Sequence, residues 1–125
     1  MKRRIFVVED HGLMRRSIVE ALERESDLTV CGQADDAQAA LAAVESLRPD
    51  LVLTDVELKS SSGLDLIKAL RERSPETPVV ATTMFDAHRT ERQARAIGAA
   101  GFVAKQDGPE KLIAAVREIL ERGGA

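Results

Sequence analysis

The sequence predicts an α/β fold, a doubly wound sheet of five parallel strands with helices on both faces. Two observations support this prediction. Short runs of apolar, mostly β-branched residues recur along the chain at strand length. The segments between these runs place apolar residues at helical spacing. Because parallel strands joined through helices form right-handed crossovers, the helices come to cover both faces of the sheet.

Five strands are predicted, each within an apolar run free of charged residues. They cover residues 5–8, 28–31, 51–53, 79–81 and 102–104. The second run alone mixes polar with apolar residues, as in Thr29-Val30-Cys31, which is typical of a strand at a sheet edge. We therefore expect the flavodoxin-like strand order 2-1-3-4-5.

Helical spacing is clearest over residues 37–47, 64–70 and 112–120. Gly108-Pro109 places a proline where the last of these helices would begin. Met14 and Ile18 are expected to be core residues of a first helix. Residues 86–97 form the weakest helical pattern, because their apolar positions are mostly Ala.

Composition describes one ordinary folded domain over residues 1–125. The chain has 18 Lys and Arg against 21 Asp and Glu, a net charge of −3, and 44% hydrophobic residues. A chain of this length buries about two-thirds of its unfolded surface, which excludes disorder. With 2% aromatic residues and no Trp or Tyr, a nucleic-acid stacking surface is not expected. Any contact with DNA is expected through a separate output domain, absent from this chain.

Cysteine and histidine are scarce. Cys31 is the single cysteine and is accompanied only by His11 and His88, which excludes an intramolecular disulfide and does not support a zinc site. The apolar run after the basic N-terminus is too short for a signal peptide and is broken by Glu9 and Asp10. We expect a cytoplasmic protein without a membrane partner.

Polar residues follow four of the predicted strands: Glu9, Asp10, Asp55, Thr83 and Lys105. The carboxyl ends of parallel strands meet at one edge of the sheet, so these side chains are expected to converge. Three carboxylates this close repel one another unless a cation joins them. Mg²⁺ prefers oxygen ligands, and a backbone carbonyl after Asp55 would add another. The sequence therefore predicts a magnesium site.

The remaining two groups suit a phosphoryl group. The Lys105 ammonium balances charge on a phosphoryl oxygen, and the Thr83 hydroxyl donates a hydrogen bond to another. Thr82 is the alternative hydroxyl, but alternation along the strand lets only one of the two point to the site. The inferred reaction is in-line phosphoryl transfer onto Asp55, the carboxylate nearest the centre of the sheet.

These residues resemble the receiver domain of two-component response regulators over essentially the whole chain. VVED carries the acidic pair, DLVLTD carries Asp55, and Gly63 stands eight residues later. ATT carries Thr83, and GFVAKQ carries Phe102 and Lys105. TTMFD followed by GFVAKQDGPEKLIAAV is most similar to receivers that precede a LuxR-type helix-turn-helix domain.

The resemblance implies a phosphorelay. A sensor histidine kinase or a phosphotransfer protein would donate the phosphoryl group to Asp55, giving a labile aspartyl phosphate that the domain itself hydrolyses slowly. Mg²⁺ would be held by Glu9, Asp10, Asp55 and the backbone carbonyl of Glu57. The domain would be a switch rather than a turnover enzyme, and its output would be control of transcription, with a homodimer as one activated form.

The resemblance also implies how the switch operates. Thr83 would follow the phosphoryl group inward, Phe102 would fill the vacated space, and the face of the fourth helix, fifth strand and fifth helix would change. The side chain of Glu57 is expected near the phosphoryl group. Phe102 stands where the family often has Tyr, so its readout would depend on ring packing.

Three other functions have to be distinguished from this one. An aspartate-nucleophile phosphatase would need an Asp-X-Asp pair on the first strand, whereas Asp55-Val56-Glu57 follows the third. A flavin-binding module would need an aromatic sandwich that the chain lacks. A receiver-like module that acts through protein contacts without phosphate stays open. His11 is expected to be a solvated loop residue rather than a base.

Overall fold

Over the residues that the structure describes, five strands and five α-helices alternate. The strands are β1 (Arg3–Val8), β2 (Leu28–Ala34), β3 (Leu51–Asp55), β4 (Val79–Thr83) and β5 (Gly101–Ala104). The helices are α1 (Gly12–Glu23), α2 (Ala37–Leu47), α3 (Gly63–Arg73), α4 (His88–Ala96) and α5 (Pro109–Gly123), with a 3₁₀ turn at Lys105–Asp107. The structure is a computed structural model that describes residues 2–58, 61–84 and 88–123.

The strands form a single sheet in the order β2-β1-β3-β4-β5, and every neighbouring pair is parallel. This confirms the predicted fold class and strand order. The order reverses between β1 and β3, so the carboxyl ends of these two strands lie side by side. The register pairs Val8 with Thr54, one residue before Glu9 and Asp55 respectively.

Helices cover both faces of the sheet because successive side chains of a strand point to opposite sides. Phe6 and Val8 pack with the α2, α3 and α4 side of the core, whereas Ile5 and Val7 pack with the α1 and α5 side. Ile18 is buried in the second of these layers, and Met14 is partly buried against it. The prediction that both contribute to the core of the first helix is confirmed.

β2 lies at the edge of the sheet, as predicted, but it is three residues longer than the predicted run and ends at Ala34. Its register shifts against β1 between Ile5 and Phe6. Gly32 lies against Phe6, and a Cβ at this glycine would approach the ring to 2.8 Å. Backbone pairing with β1 therefore continues the strand after its apolar run has ended.

α4 is the most polar of the helices, and Ala94 is its one buried residue. Arg89, Arg92 and Arg95 are exposed, and Arg95 contacts Glu91 at 3.0 Å. This side of the helix is therefore solvated, as its arginines at three-residue spacing in the sequence indicate. The predicted start of this helix at residue 86 lies outside the described residues. Within the described ranges, the helices are too short or too polar to cross a bilayer.

Candidate functional site

The predicted carboxylates come together at the edge of the sheet where the strand order reverses. Glu9 and Asp10 follow β1, and Asp55 is the last residue of β3. One carboxylate oxygen of each lies within 4.8 Å of the others. Glu9 and Asp55 are buried, with 1% and 5% of their surface exposed, whereas Asp10 is partly exposed. The cluster is therefore open to solvent on the side of Asp10.

The Lys105 ammonium joins the two buried carboxylates. It donates a hydrogen bond of 2.9 Å to Asp55 Oδ2 and another to Glu9 Oε1. The lysine side chain is itself only 6% exposed. A buried charge is costly without a partner, so Lys105 compensates part of the negative charge of the site.

Burial and pairing have opposite effects on the protonation of this group. Burial raises the pKa of the Asp55 carboxyl, against the lowering effects of Lys105 and the Glu57 amide. Burial by itself lowers the pKa of Lys105, but its hydrogen bonds to Glu9 and Asp55 outweigh burial, and the pKa is raised. The lysine is therefore charged at neutral pH, and the carboxylate cluster favours additional positive charge.

Residues on either side of Asp55 in the chain and in space fix its other oxygen and its carbonyl. The backbone N–H of Glu57 donates to Asp55 Oδ1 at 2.9 Å. Gly63 approaches so closely that a Cβ there would lie 2.0 Å from the carbonyl oxygen of Asp55. Two residues before Gly63, Ser61 Oγ accepts from the backbone N–H of Ala37 at 3.1 Å, which connects this segment to the start of α2. The glycine eight residues after Asp55 is thus required by backbone packing.

The two threonines at the end of β4 have different partners. The Thr82 hydroxyl donates to the backbone carbonyl of Thr54 at 3.4 Å. The Thr83 hydroxyl donates to Glu57 Oε1 at 2.7 Å. Since Glu57 also bonds to Asp55 through its backbone, Thr83 is connected to the acceptor through Glu57.

The surroundings of Glu9 were not predicted from the sequence. Its Oε2 accepts from the backbone N–H of His11 at 3.1 Å, and its carbonyl oxygen accepts from Arg15 at 2.8 Å. Arg15 also donates to the side chain of Gln33 at 3.0 Å, which connects α1 with β2. These contacts depend on side-chain reach across elements, for which the sequence contains no pattern.

The His11 side chain is exposed and caps α1, since Nδ1 accepts from the backbone N–H of Met14 at 3.4 Å. This agrees with a solvated loop residue and adds a capping role that was not predicted. Phe102 is partly buried in β5 and packs against the core layer that includes Ala81 and Ala94.

The acidic cluster fits a divalent cation. Two oxygens bound to one Mg²⁺ at about 2.1 Å lie at most about 4.2 Å apart, so oxygens within 4.8 Å need only small shifts. Each oxygen of Glu9 already accepts a hydrogen bond, one from Lys105 and one from His11. Each oxygen of Asp55 also accepts one, from the Glu57 amide and from Lys105, so these contacts do not rank Glu9 and Asp55 as ligands. Asp10 is the member of the cluster that solvent reaches.

A family model described as the response regulator receiver domain matches residues 5–117. Among curated proteins, the DNA-binding transcriptional activator DevR/DosR of Mycobacterium tuberculosis is 31% identical over 116 residues, which are 93% of this chain and 54% of that protein. The chain spans about half the length of the curated relatives it matches.

Solved structures agree with the family match. The signal receiver domain of the response regulator NarL from Mycobacterium tuberculosis superposes with a TM-score of 0.90 at 32% identity, covering 96% of this chain and 97% of that chain. A two-component response regulator of the LuxR family from Aurantimonas has a TM-score of 0.92 at 27% identity, covering 97% of this chain and 86% of that one. The chain therefore belongs to the response regulator receiver domain family.

Proposed function

We propose that this domain accepts a phosphoryl group on Asp55 from a sensor histidine kinase or a phosphotransfer protein, in a reaction that requires Mg²⁺. Receiver domains are signalling switches of two-component systems rather than classical enzymes. The observation that carries the proposal is the position of the Asp55 carboxylate. It bonds to a buried ammonium and lies within 4.8 Å of two further carboxylates.

The proposed step is an in-line displacement at phosphorus. An oxygen of Asp55 forms the new P–O bond, while the bond from phosphorus to the donor breaks and the donor leaves with its electron pair. Lys105 balances negative charge on the phosphoryl oxygens, and the Thr83 hydroxyl donates a hydrogen bond to one of them. Hydrolysis of the aspartyl phosphate by water returns the domain to its first state.

Asp10, Asp55 and the backbone carbonyl of Glu57 are proposed to hold Mg²⁺, with Glu9 beside them. When bound, the ion supplies positive charge that offsets the phosphoryl oxygens in the transition state. The support comes from the carboxylate cluster, whose negative charge exceeds that of its single lysine partner. Lys105 remains bonded to Asp55 and keeps one oxygen of the acceptor oriented.

Thr83 and Phe102 are proposed to transmit the change to the face formed by α4, β5 and α5. Thr83 ends β4, and Phe102 lies on the neighbouring strand, paired in register with Ala81. We further propose that the output is transcription, through a separate DNA-binding domain, because a relative is named as a DNA-binding transcriptional activator. A homodimer is proposed as one activated form.

The alternative is a receiver that acts through protein contacts without phosphate. Intact mass spectrometry after incubation with acetyl phosphate distinguishes the two. With Mg²⁺ the wild type should gain one phosphoryl group, and this adduct should be absent in Asp55→Asn and in the presence of a chelator. A wild type that gains no adduct and does not bind beryllofluoride would overturn the proposed function and favour the alternative.

A further inference from the structure

Glu57 contacts both the acceptor Asp55 and Thr83, whose hydroxyl is proposed to bond to the phosphoryl group. Its backbone N–H donates to Asp55 Oδ1 at 2.9 Å, and its side-chain Oε1 accepts from the Thr83 hydroxyl at 2.7 Å. Thr83 is 1% exposed, whereas Glu57 is exposed. A flexible surface carboxylate is therefore bonded to a hydroxyl that is fixed in the core at the end of β4.

A threonine hydroxyl has one hydrogen to donate. While that hydrogen is donated to Glu57, it is not available to an oxygen of a phosphoryl group on Asp55. The two acceptors therefore compete for the same donor. The Glu57 carboxylate has a route out of this contact, because it is exposed and water can take the place of Thr83.

We propose that the Glu57 carboxylate is a latch on Thr83, which holds the hydroxyl in the absence of phosphate and must be displaced before Thr83 can contact the phosphoryl group. This inference rests on the proposed function of Asp55. It assigns to Glu57 a positioning role that acts through Thr83, separate from the metal contact proposed for its backbone carbonyl. The latch lowers the affinity of the site for a phosphoryl group.

Charge repulsion between the Glu57 carboxylate and a phosphoryl group also lowers the affinity of the site, so its effect has to be separated from that of the latch. A phosphoryl group brings about −1.5 to −2 charges, which a nearby carboxylate repels. Repulsion does not depend on the Thr83 hydroxyl, whereas the latch does. A double-mutant cycle between these two residues therefore measures the latch alone.

The experiment measures the affinity of the protein for beryllofluoride, a phosphoryl mimic, at saturating Mg²⁺. Four proteins form the cycle: wild type, Glu57→Ala, Thr83→Val and the double variant. Valine keeps the shape of threonine and removes the hydroxyl. Glu76→Ala is the matched control, because it removes an exposed glutamate just before β4, at the opposite end of the strand from Thr83.

With Thr83 present, Glu57→Ala should bind beryllofluoride about fivefold more tightly, the effect of losing one competing hydrogen bond. In the Thr83→Val background, the same substitution should have a clearly smaller effect, equal to repulsion alone. Glu76→Ala should bind as the wild type does.

Equal factors in the two backgrounds would overturn the latch in favour of charge repulsion. An unchanged affinity of Glu57→Ala would overturn the latch and show that repulsion is negligible as well. In both cases the wild type still binds the mimic, so the proposed function stands. A wild type that does not bind beryllofluoride would overturn the proposed function, and the latch with it.

Discussion

Two charge clusters of the same composition lie at opposite ends of the strands. At the carboxyl ends, Lys105 pairs with Glu9 and Asp55, and all three side chains are at most 6% exposed. At the other end, Arg117 of α5 pairs with Glu25 at 2.6 Å and Asp27 at 2.7 Å. These three side chains are 30–51% exposed. Each cation therefore pairs with one glutamate and one aspartate.

Pairing with a cation lowers the carboxyl pKa in both clusters, and the difference in burial decides the net shift. Burial raises the pKa of Asp55 despite its bond to Lys105. The hydrogen bond from Arg117 lowers the pKa of Asp27, which water still reaches. Both sets of three residues carry one excess negative charge. Water screens this charge in the exposed cluster, whereas the buried cluster is desolvated and has Asp10 beside it as a further carboxylate, so an additional cation is favoured there. Burial, rather than composition, distinguishes a chemical site from a surface ion pair.

The largest expected effect is that of removing the buried cation. Lys105→Met should lower the free energy of unfolding by about 3 kcal/mol, because it leaves Glu9 and Asp55 buried without their partner. Mg²⁺ should recover part of this loss. Urea unfolding measures the change, with Lys111→Met, on an exposed position of α5, as a control within about 0.5 kcal/mol of the wild type. A Lys105 variant as stable as the wild type would contradict the account of the buried cluster.

A smaller effect is expected from disturbing the backbone that holds the acceptor. Gly63→Ala should lower stability by about 2 kcal/mol, because its Cβ would collide with the carbonyl of Asp55. It should also reduce phosphoryl uptake from acetyl phosphate. Gly12→Ala is the matched control, since a Cβ at this position meets nothing within 4 Å. If the two alanine variants behave alike, close packing around Asp55 is not what requires glycine at position 63.

The smallest effects are expected from replacing one aspartate of each cluster by asparagine, and the two changes in melting temperature should have opposite signs. The folded-state pKa of Asp55 is raised, so its carboxylate opposes folding once the pH exceeds its unfolded-state value. Asp55→Asn should therefore raise the melting temperature at pH 7 by a few degrees. The folded-state pKa of Asp27 is lowered, so its carboxylate stabilises the fold at pH 7 and this contribution disappears on acidification.

Asp27→Asn should accordingly lower the melting temperature slightly at pH 7, and the difference should shrink in acid. High salt should reduce it as well, because the pair is exposed. Thermal unfolding of Asp55→Asn and Asp27→Asn, measured at pH 7 and after acidification, provides the test. Changes in melting temperature of the same sign would show that burial is not what distinguishes the two clusters.

Much of the fold and of the site could be predicted because both follow from strand ends. Apolar runs fix where strands lie, and parallel topology then brings Glu9, Asp55 and Lys105 to one edge. The length of β2 beyond Cys31 could not be predicted, because backbone pairing and not hydrophobicity sustains it. The bond between Glu57 and Thr83 depends on side-chain conformations across a loop, which leave no periodic signal in the sequence.

The most direct test of the central claim is to map the phosphorylated residue. After incubation with acetyl phosphate and Mg²⁺, borohydride reduction converts an aspartyl phosphate into homoserine, which peptide mass spectrometry locates. We expect homoserine at position 55 alone, with Asp27 in the exposed cluster unmodified. Modification of Asp27, Asp10 or any other aspartate in place of Asp55 would contradict it.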